Sequence, residues 1–436
     1  MASLHIKKHL GFAALRKLIS ERLRQIEDDR QQGKVNYPLH DCAMSAFAMM
    51  FFQDPSVLEF QRRLQESINS NNLKTMFNVE SIPKDTQLRD VLDQCPLDPL
   101  DKVFADIFFH LQRSKQLESY QFINDMYLIP VDGSQYFSSE KINCPSCLTT
   151  TSKKGLVRYH HSILQAVIVH PDNQQVIPLA PEAIQNTDGT EKQDCEINAG
   201  KRLIKKIRTT HPKLKIIVGG DDLFSNQPFI DELKAAGMSF ILVAKPSSHK
   251  ILFEWFTELK QLEAASRLQF TDFKGRQHLY EWINEIPLNG TKDADQVNFF
   301  HYQLIDKGNI IYRNSWVTDI VIDENNVTQL VKGGRARWKV ENEGFNTLKN
   351  QGYHIEHNFG HGQKNLSMIF FLLNLLAFFV HQIFELTDLH YQKCRAKFSA
   401  RKEFWNQLRC TIRILLFKSW EELLAFIICP PQSRAP

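Results

Sequence analysis

The chain has 436 residues, 43% hydrophobic and 23% charged, which is ordinary for a soluble globular protein and enough for two or three domains. Its 53 basic residues face 49 acidic ones without a long run of one sign, so the formal net charge of +4 permits a polyanion partner but does not demand one. Eight cysteines, with no apolar leader in MASLHIKKHLGFAALRK, argue against a secreted, disulfide-stapled protein and point to reduced thiols in the cytoplasm.

Residues 1–120 read as a helical N-terminal domain, with amphipathic stretches at 12–26 (FAALRKLISERLRQI) and 100–117 broken at Asp54-Pro55 and Ile82-Pro83. Lys7, Lys8, Arg16, Lys17, Arg22 and Arg24 suit phosphate contacts there, although a charged helix face is more often simply solvated. From Phe122 the pattern turns to short β-rich runs: MYLIPVDGS, then ILQAVIV and QQVIPLA around the turn His170-Pro171-Asp172-Asn173. A helical stretch at 191–210 follows, then the buried-type strand KIIVGGDD, a helix at 228–236 and the strand SFILVAK.

This β-β-β-α-β-α-β order predicts an α/β fold, an RNase H-like mixed sheet flanked by helices, whose core begins at 121–246. Strand signals in LQFTDF, HLYEWI, NFFHYQLI and NIIYRNSWVTDI predict a β-rich insertion over 247–320. The core resumes at 321–390 with a helix over about 331–349, and 391–436 forms a basic helical C-terminal region ending in the tail PPQSRAP. The run LSMIFFLLNLLAFFVHQIF approaches the roughly 20 apolar residues that span a bilayer. Ser367, Asn374, His381 and Gln382 interrupt it, so it is expected to be a buried core helix and no membrane partner follows. In the C-terminal region Lys393, Arg395, Lys397, Arg401, Lys402, Arg409 and Arg413 alternate with aromatics, which suits DNA-backbone contact and solvated helix faces alike.

Three acids stand where strands and a helix can converge. Asp132 follows the apolar run MYLIPV, and Asp221 closes KIIVGG with Asp222 directly after it. Strand ends are the usual ligand positions in α/β sheets, while turn-starting and helix-capping are the ordinary structural uses of such aspartates. Glu341 falls one helical turn after Arg337 and one before Phe345, on a shared face. Such an Arg-Glu pair is commonly a surface salt bridge. The functional alternative has the acid holding a metal while the guanidinium lies against a phosphate.

RWKVENEGFNTLK resembles the third-acid helix of DDE transposases from bacterial insertion sequences, in the subgroup marked Tyr, two residues, Arg, three residues, Glu, six residues, Lys. Arg337 and Glu341 match that spacing. GGDDLFSNQPFIDEL followed by SFILVAK resembles the second-acid segment, with an aromatic three residues after the aspartate, and selects Asp221 with Phe224. IPVDGSQYF resembles the first-acid strand, and WVTDI the last insertion strand. The similarity runs from about 120 to 385. Gly334 occupies the tyrosine position, and Lys349 has seven residues rather than six between it and Glu341, which turns it by about 100° on a regular helix.

The resemblance implies that Asp132, Asp221 and Glu341 are catalytic and hold Mg²⁺, with Mn²⁺ able to substitute, and that Arg337 and Lys349 meet DNA. It implies metal-dependent cleavage at transposon-end DNA and transfer to target DNA, by a homodimer on paired ends. A metal nuclease without strand transfer, and an inactive DNA-binding relative, are the alternative readings.

Cys144 and Cys147 in CPSC have the spacing of half a zinc site, with His160 and His161 a short distance on and Cys195 later. A second close cysteine pair is missing, so they read as free cysteines beside a turn. His354, His357 and His361 in GYHIEHNFGHG have helical metal spacing, but Gly360 and Gly362 argue for a hydrogen-bonding loop that faces phosphate.

Overall fold

The computed structural model describes residues 8–31, 33, 35–64, 67–185 and 193–430. Lys7, the first two residues of the helical stretch expected from 191, and all of the tail after Pro430 lie outside them.

The N-terminal segment forms helices α1 (Phe12–Leu23), α2 (Leu39–Phe51), α3 (Val57–Leu64), α4 (Ser67–Phe77), α5 (Asp85–Asp93) and α6 (Asp98–Arg113). In α2 the sequence LHDCAMSAFAMMF carries small or apolar residues on every side, and nearly all of it is buried. A helix that is apolar all round belongs at the centre of a core. Its one carboxylate, Asp41, accepts from the backbone N–H groups of Glu80 and Ser81, at 3.1 and 2.8 Å.

The sheet begins with β1 (Tyr127–Ser139), β2 (Leu148–Thr151), β3 (Val157–Ile168), β4 (Ile177–Pro178) and β5 (Glu182–Ile184). Helix α7 (Glu196–Thr210) leads to β6 (Ile216–Gly220), and α8 (Gln227–Ala235) leads to β7 (Ser239–Val243). Helix α9 (Lys250–Gln261) precedes β8 (Ser266–Thr271), β9 (Gln277–Pro287), β10 (Gln296–Asp306) and β11 (Asn309–Thr318). The order across the sheet is β2-β3-β1-β6-β7-β11-β10-β9-β8, with β4 and β5 also beside β3. β1 is antiparallel to β3 and parallel to β6, and β6 is parallel to β7. Helices flank this mixed sheet, so the α/β architecture expected from the sequence is present.

Two local expectations need correction. Asp132 is not at a strand end: β1 continues through Gly133 and Ser134, which pair with Leu164 and Ile163 of β3. The parallel pairing with β6, however, stops at Pro130↔Gly219, so Asp132 sits where β6 departs from its neighbour. The region after 247 opens with helix α9, whose Phe256 packs on Phe299 of β10 at 4.8 Å between ring centroids. Its strands form no separate sheet, because β11 pairs antiparallel with β7 and carries the main sheet outward.

After β11 come α10 (Val327–Arg335), a π-helical turn (Val340–Phe345), α11 (Asn346–Asn350) and the apolar α12 (Leu366–Thr387). Helices α13 (Leu389–Arg395), α14 (Arg401–Ile414) and α15 (Trp420–Ile428) complete the described chain. In α12, 89% of the most apolar 18-residue window is buried against protein, which makes it a core helix. The polar residues that interrupt it find protein partners. Asn374 donates to the Tyr353 carbonyl at 2.7 Å, His381 pairs with the Tyr353 hydroxyl at 2.7 Å, and Gln382 accepts from the Val176 N–H at 3.1 Å.

The N-terminal helices, α12, the C-terminal helices and the sheet contribute to one continuous apolar core. Asn72 fastens its two ends, donating to the Ile412 and Leu415 carbonyls at 2.8 and 2.7 Å and accepting from the Phe417 N–H. Several C-terminal cations expected to meet DNA have partners within the chain. Arg409 donates to the Phe52 and Gln53 carbonyls, Arg395 to Phe398, Lys397 to Ile427, and Arg401 pairs with Glu385.

Candidate active site

The central strands β1 and β6 run side by side in the same direction, and their register, extended two residues past Pro130↔Gly219, sets Asp132 beside Asp221. At this point the chain continues to one side through β3 and to the other through β6 and β7, the position where open α/β sheets form a crevice. The π-helical turn packs against β1 and β3 and brings Glu341 to the same place. Burial pushes the Asp132 carboxyl above its usual range; Arg337 opposes that, and Asp221 and Glu341 reinforce it. Acids from three separate segments thus share one electrostatic environment.

Arg337 donates to Asp132 Oδ2 at 2.8 Å, so its partner is the strand acid and not Glu341 one turn away. The surface salt bridge expected from helical spacing is replaced by a tie between the segment that carries Glu341 and β1. The other Asp132 oxygen accepts from the Gly133 N–H at 3.0 Å. Asp221 Oδ1 accepts from the Leu223 N–H at 3.0 Å, and Phe224, the aromatic three residues on, is buried.

Asp222 does different work. Its Oδ1 accepts from the Lys245 N–H at 3.0 Å and from the Ser248 hydroxyl at 2.6 Å, fastening the loop after β6 to the loop after β7. Its hydrogen-bonding capacity serves the scaffold, whereas Asp221 faces the other acids.

A fourth carboxylate was not anticipated. Glu196, in the first turn of α7, is pushed above its usual range by burial, then by Asp221 and Asp132. A Cβ on Gly133 would meet Glu196 Oε1 at 2.4 Å, so the glycine after Asp132 makes room for that carboxylate. Its signal in the sequence is weak, because an acid in a first helical turn is ordinarily there to favour the helix dipole.

Lys349 lies in α11 and pairs with Glu356 at 3.4 Å. The intervening π turn bears on its spacing. An i→i+5 turn takes up one more residue than an α-helical turn. It therefore absorbs the extra residue between Glu341 and Lys349 and returns the backbone at Lys349 to the phase that six intervening residues give on a regular helix. Gly334 also has a packing reason: a Cβ there would strike the buried Trp316 ring at 2.5 Å.

The cysteines and histidines are arranged otherwise than expected. Cys144 and Cys147 meet His161 from β3 and His361 from the loop after α11, their ligand atoms all within 4.8 Å of one another. His361 belongs to this group and is not a phosphate-facing side chain, while His354, His357, His160 and Cys195 lie outside it. Among the described residues this is the only group of potential metal ligands drawn so closely together, and the acids are more widely spread. In comparisons with known proteins, no family model and no curated protein matches this chain.

Proposed function

We propose that the chain is a DDE-type transposase, which cleaves DNA at transposon ends and joins the freed 3′ end to target DNA. The observation that carries this reading is the shared electrostatic environment of Asp132, Asp221 and Glu341 where β6 leaves β1. An RNase H-like core is supported by the antiparallel β1 and β3 followed by parallel β6 and β7, with α7 and α8 in the connections. The π turn supports carrying Lys349 over from the transposase signature, because it offsets the one-residue difference in spacing.

The donor set fits a hard divalent cation. All the acids are oxygen ligands; burial first, and then repulsion from the neighbouring acids, raises the Asp132 and Glu196 carboxyls, and a bound cation would offset both. Asp132, Asp221 and Glu341 would hold Mg²⁺, or Mn²⁺ in its place. When bound, the metal supplies activation of the attacking oxygen and stabilisation of the leaving one. Arg337 holds Asp132 in place and presents a guanidinium whose planar geometry suits a phosphate. Asp222 braces the loop that carries Asp221.

The test is nicking and joining of a duplex carrying the DNA that flanks the coding region, with the intact protein and its Asp132→Ala, Asp221→Ala, Asp222→Ala and Glu341→Ala variants. Metal-dependent nicking followed by 3′-end joining, lost in the 132, 221 and 341 variants and kept in the 222 variant, supports the proposal. Cutting without joining makes the protein a nuclease, and binding without cutting makes it an inactive relative.

A further inference from the structure

We propose that Cys144, Cys147, His161 and His361 form a structural zinc site that clamps the loop following the third-acid segment to the β1–β3 hairpin. With Zn–S bonds of about 2.3 Å and Zn–N bonds of about 2.05 Å, a regular tetrahedron has edges of about 3.8 Å between sulfurs, about 3.6 Å between sulfur and nitrogen and about 3.3 Å between nitrogens. The corresponding distances are 3.8 Å for Cys144 Sγ to Cys147 Sγ and 3.5 Å from each of these sulfurs to His161 Nε2. They are 3.4 Å for Cys147 Sγ to His361 Nε2 and 3.2 Å between the two histidine Nε2 atoms, and the sixth edge, Cys144 Sγ to His361, falls within 4.8 Å. Hydrogen bonding alone gives four side chains no reason to adopt all these edges together.

The surroundings agree with the geometry. Nδ1 of His361 lies 2.9 Å from the Gly362 carbonyl; as the N–H donor there, it leaves Nε2 free to ligate, the usual outer-shell arrangement for a metal-bound histidine. The loop carrying His361 is fixed by Asp93, whose carboxylate accepts from the backbone N–H groups of Gln363, Lys364, Asn365 and Leu366 at 2.9 to 3.0 Å. All four candidate ligands are at most 9% exposed. Four protein ligands closed off from solvent define a structural zinc site, whereas a catalytic one keeps a position open.

Binding exchanges two thiol protons for one Zn²⁺ and requires no oxidant. It joins segments 200 residues apart in the chain, as His161 and His361 are. The inference does not depend on the DNA-cutting reading, because its test involves no DNA.

The intact chain, purified under reducing conditions without chelator, is assayed for metal content and then reloaded with Co²⁺. The expected result is one zinc per chain and a cobalt spectrum with thiolate charge-transfer bands and the intense d–d bands of a tetrahedral ion. Cys147→Ser and His361→Ala should weaken zinc binding by at least the roughly 10–100-fold that loss of an outer-shell partner alone produces. Cys195→Ser and Asp221→Asn should leave zinc content unchanged. The proposal fails if folded intact protein takes up neither zinc nor cobalt or carries iron instead. It also fails if thiol counting finds Cys144 and Cys147 joined as a disulfide, or if folded Cys147→Ser retains its zinc. Should the variants misfold, the cobalt spectrum of the intact protein decides the matter.

Discussion

Two clusters of ionisable side chains flank the same strand, β1, and they solve opposite problems. The acid cluster gathers Asp132, Asp221, Glu341 and Glu196, with Arg337 paired to Asp132, and its carboxyls repel one another. The Cys/His group is drawn to within 4.8 Å and buried, with the tautomer of one histidine set by a carbonyl. A site that binds and releases a substrate, as proposed for the acids, must stay open and tolerate uncompensated charge. A site built to hold the fold together can close completely. The difference therefore predicts different consequences when a ligand is removed from each.

The largest effect is expected in the acid cluster. Asp132→Asn, Asp221→Asn or Glu341→Gln should reduce nicking by at least about 10³-fold, the equivalent of ~4 kcal/mol of transition-state stabilisation. Thermal stability should hold or rise in the 221 and 341 variants, where the change removes a repelling charge, and hold less well in Asp132→Asn, which also weakens the pair with Arg337. A variant that loses activity only because it unfolds would break the comparison, and circular dichroism beside the nicking assay tells the two apart. Removing zinc by chelation, or by Cys147→Ser, should do the reverse. It should cost at least about 3 kcal/mol of stability, well within the ~10 kcal/mol that structural zinc supplies to small folds. Activity should fall only as the loop after the third-acid segment loosens, and returning zinc to the chelated protein should restore both.

The strands and helices of the core were largely legible, because apolar runs such as KIIVGG and SFILVAK sit between helical patterns and turn residues. Gly-Ser after Asp132 reads as a turn and puts the acid at or near a strand end, while β1 runs on to Ser139. What that reading could not contain is the carboxylate of Glu196, which occupies the space a side chain at Gly133 would need. Helix α9 was hidden by the aromatic, strand-like composition around it, although Leu252 and Phe256 are spaced one helical turn apart and both buried. The Cys/His group was half visible in CPSC. Its other half comes from β3 and from a loop 200 residues beyond His161, and no local pattern links residues that only tertiary folding brings together.

A third buried histidine sharpens the contrast. His211 packs against Phe108 at 4.2 Å between centroids with the rings tilted by 54°, and burial, helped by Arg208, pulls its pKa down to about 4 from 6.5. Among the described residues it belongs to no group of candidate metal ligands. Because the folded value lies below the unfolded one, the unfolded chain takes up the proton first. Stability is therefore intact above about pH 6.5 and falls as pH drops toward 4, by up to about 3 kcal/mol in all. In His211→Phe this contribution disappears, so the difference in urea midpoint between variant and parent should widen in the variant's favour across that window. A difference that stays flat with pH would mean that His211 is not the neutral buried group described here.

The smallest effect separates two adjacent acids. Asp222→Ala removes the acceptor for the Lys245 N–H and the Ser248 hydroxyl, and should cost about 1–2 kcal/mol of stability. Nicking should persist, because Asp222 braces the loop and takes no part in the acid cluster. Asp221→Ala should reverse the pattern, with nicking gone and stability nearly unchanged. If the Asp222 variant were the inactive one, the second acid would be assigned to the wrong neighbour. The register favours the assignment made here: the parallel pairing of β1 and β6 ends at Pro130↔Gly219, and carrying it on by two residues leads to Asp221, and not the next residue, as the neighbour of Asp132.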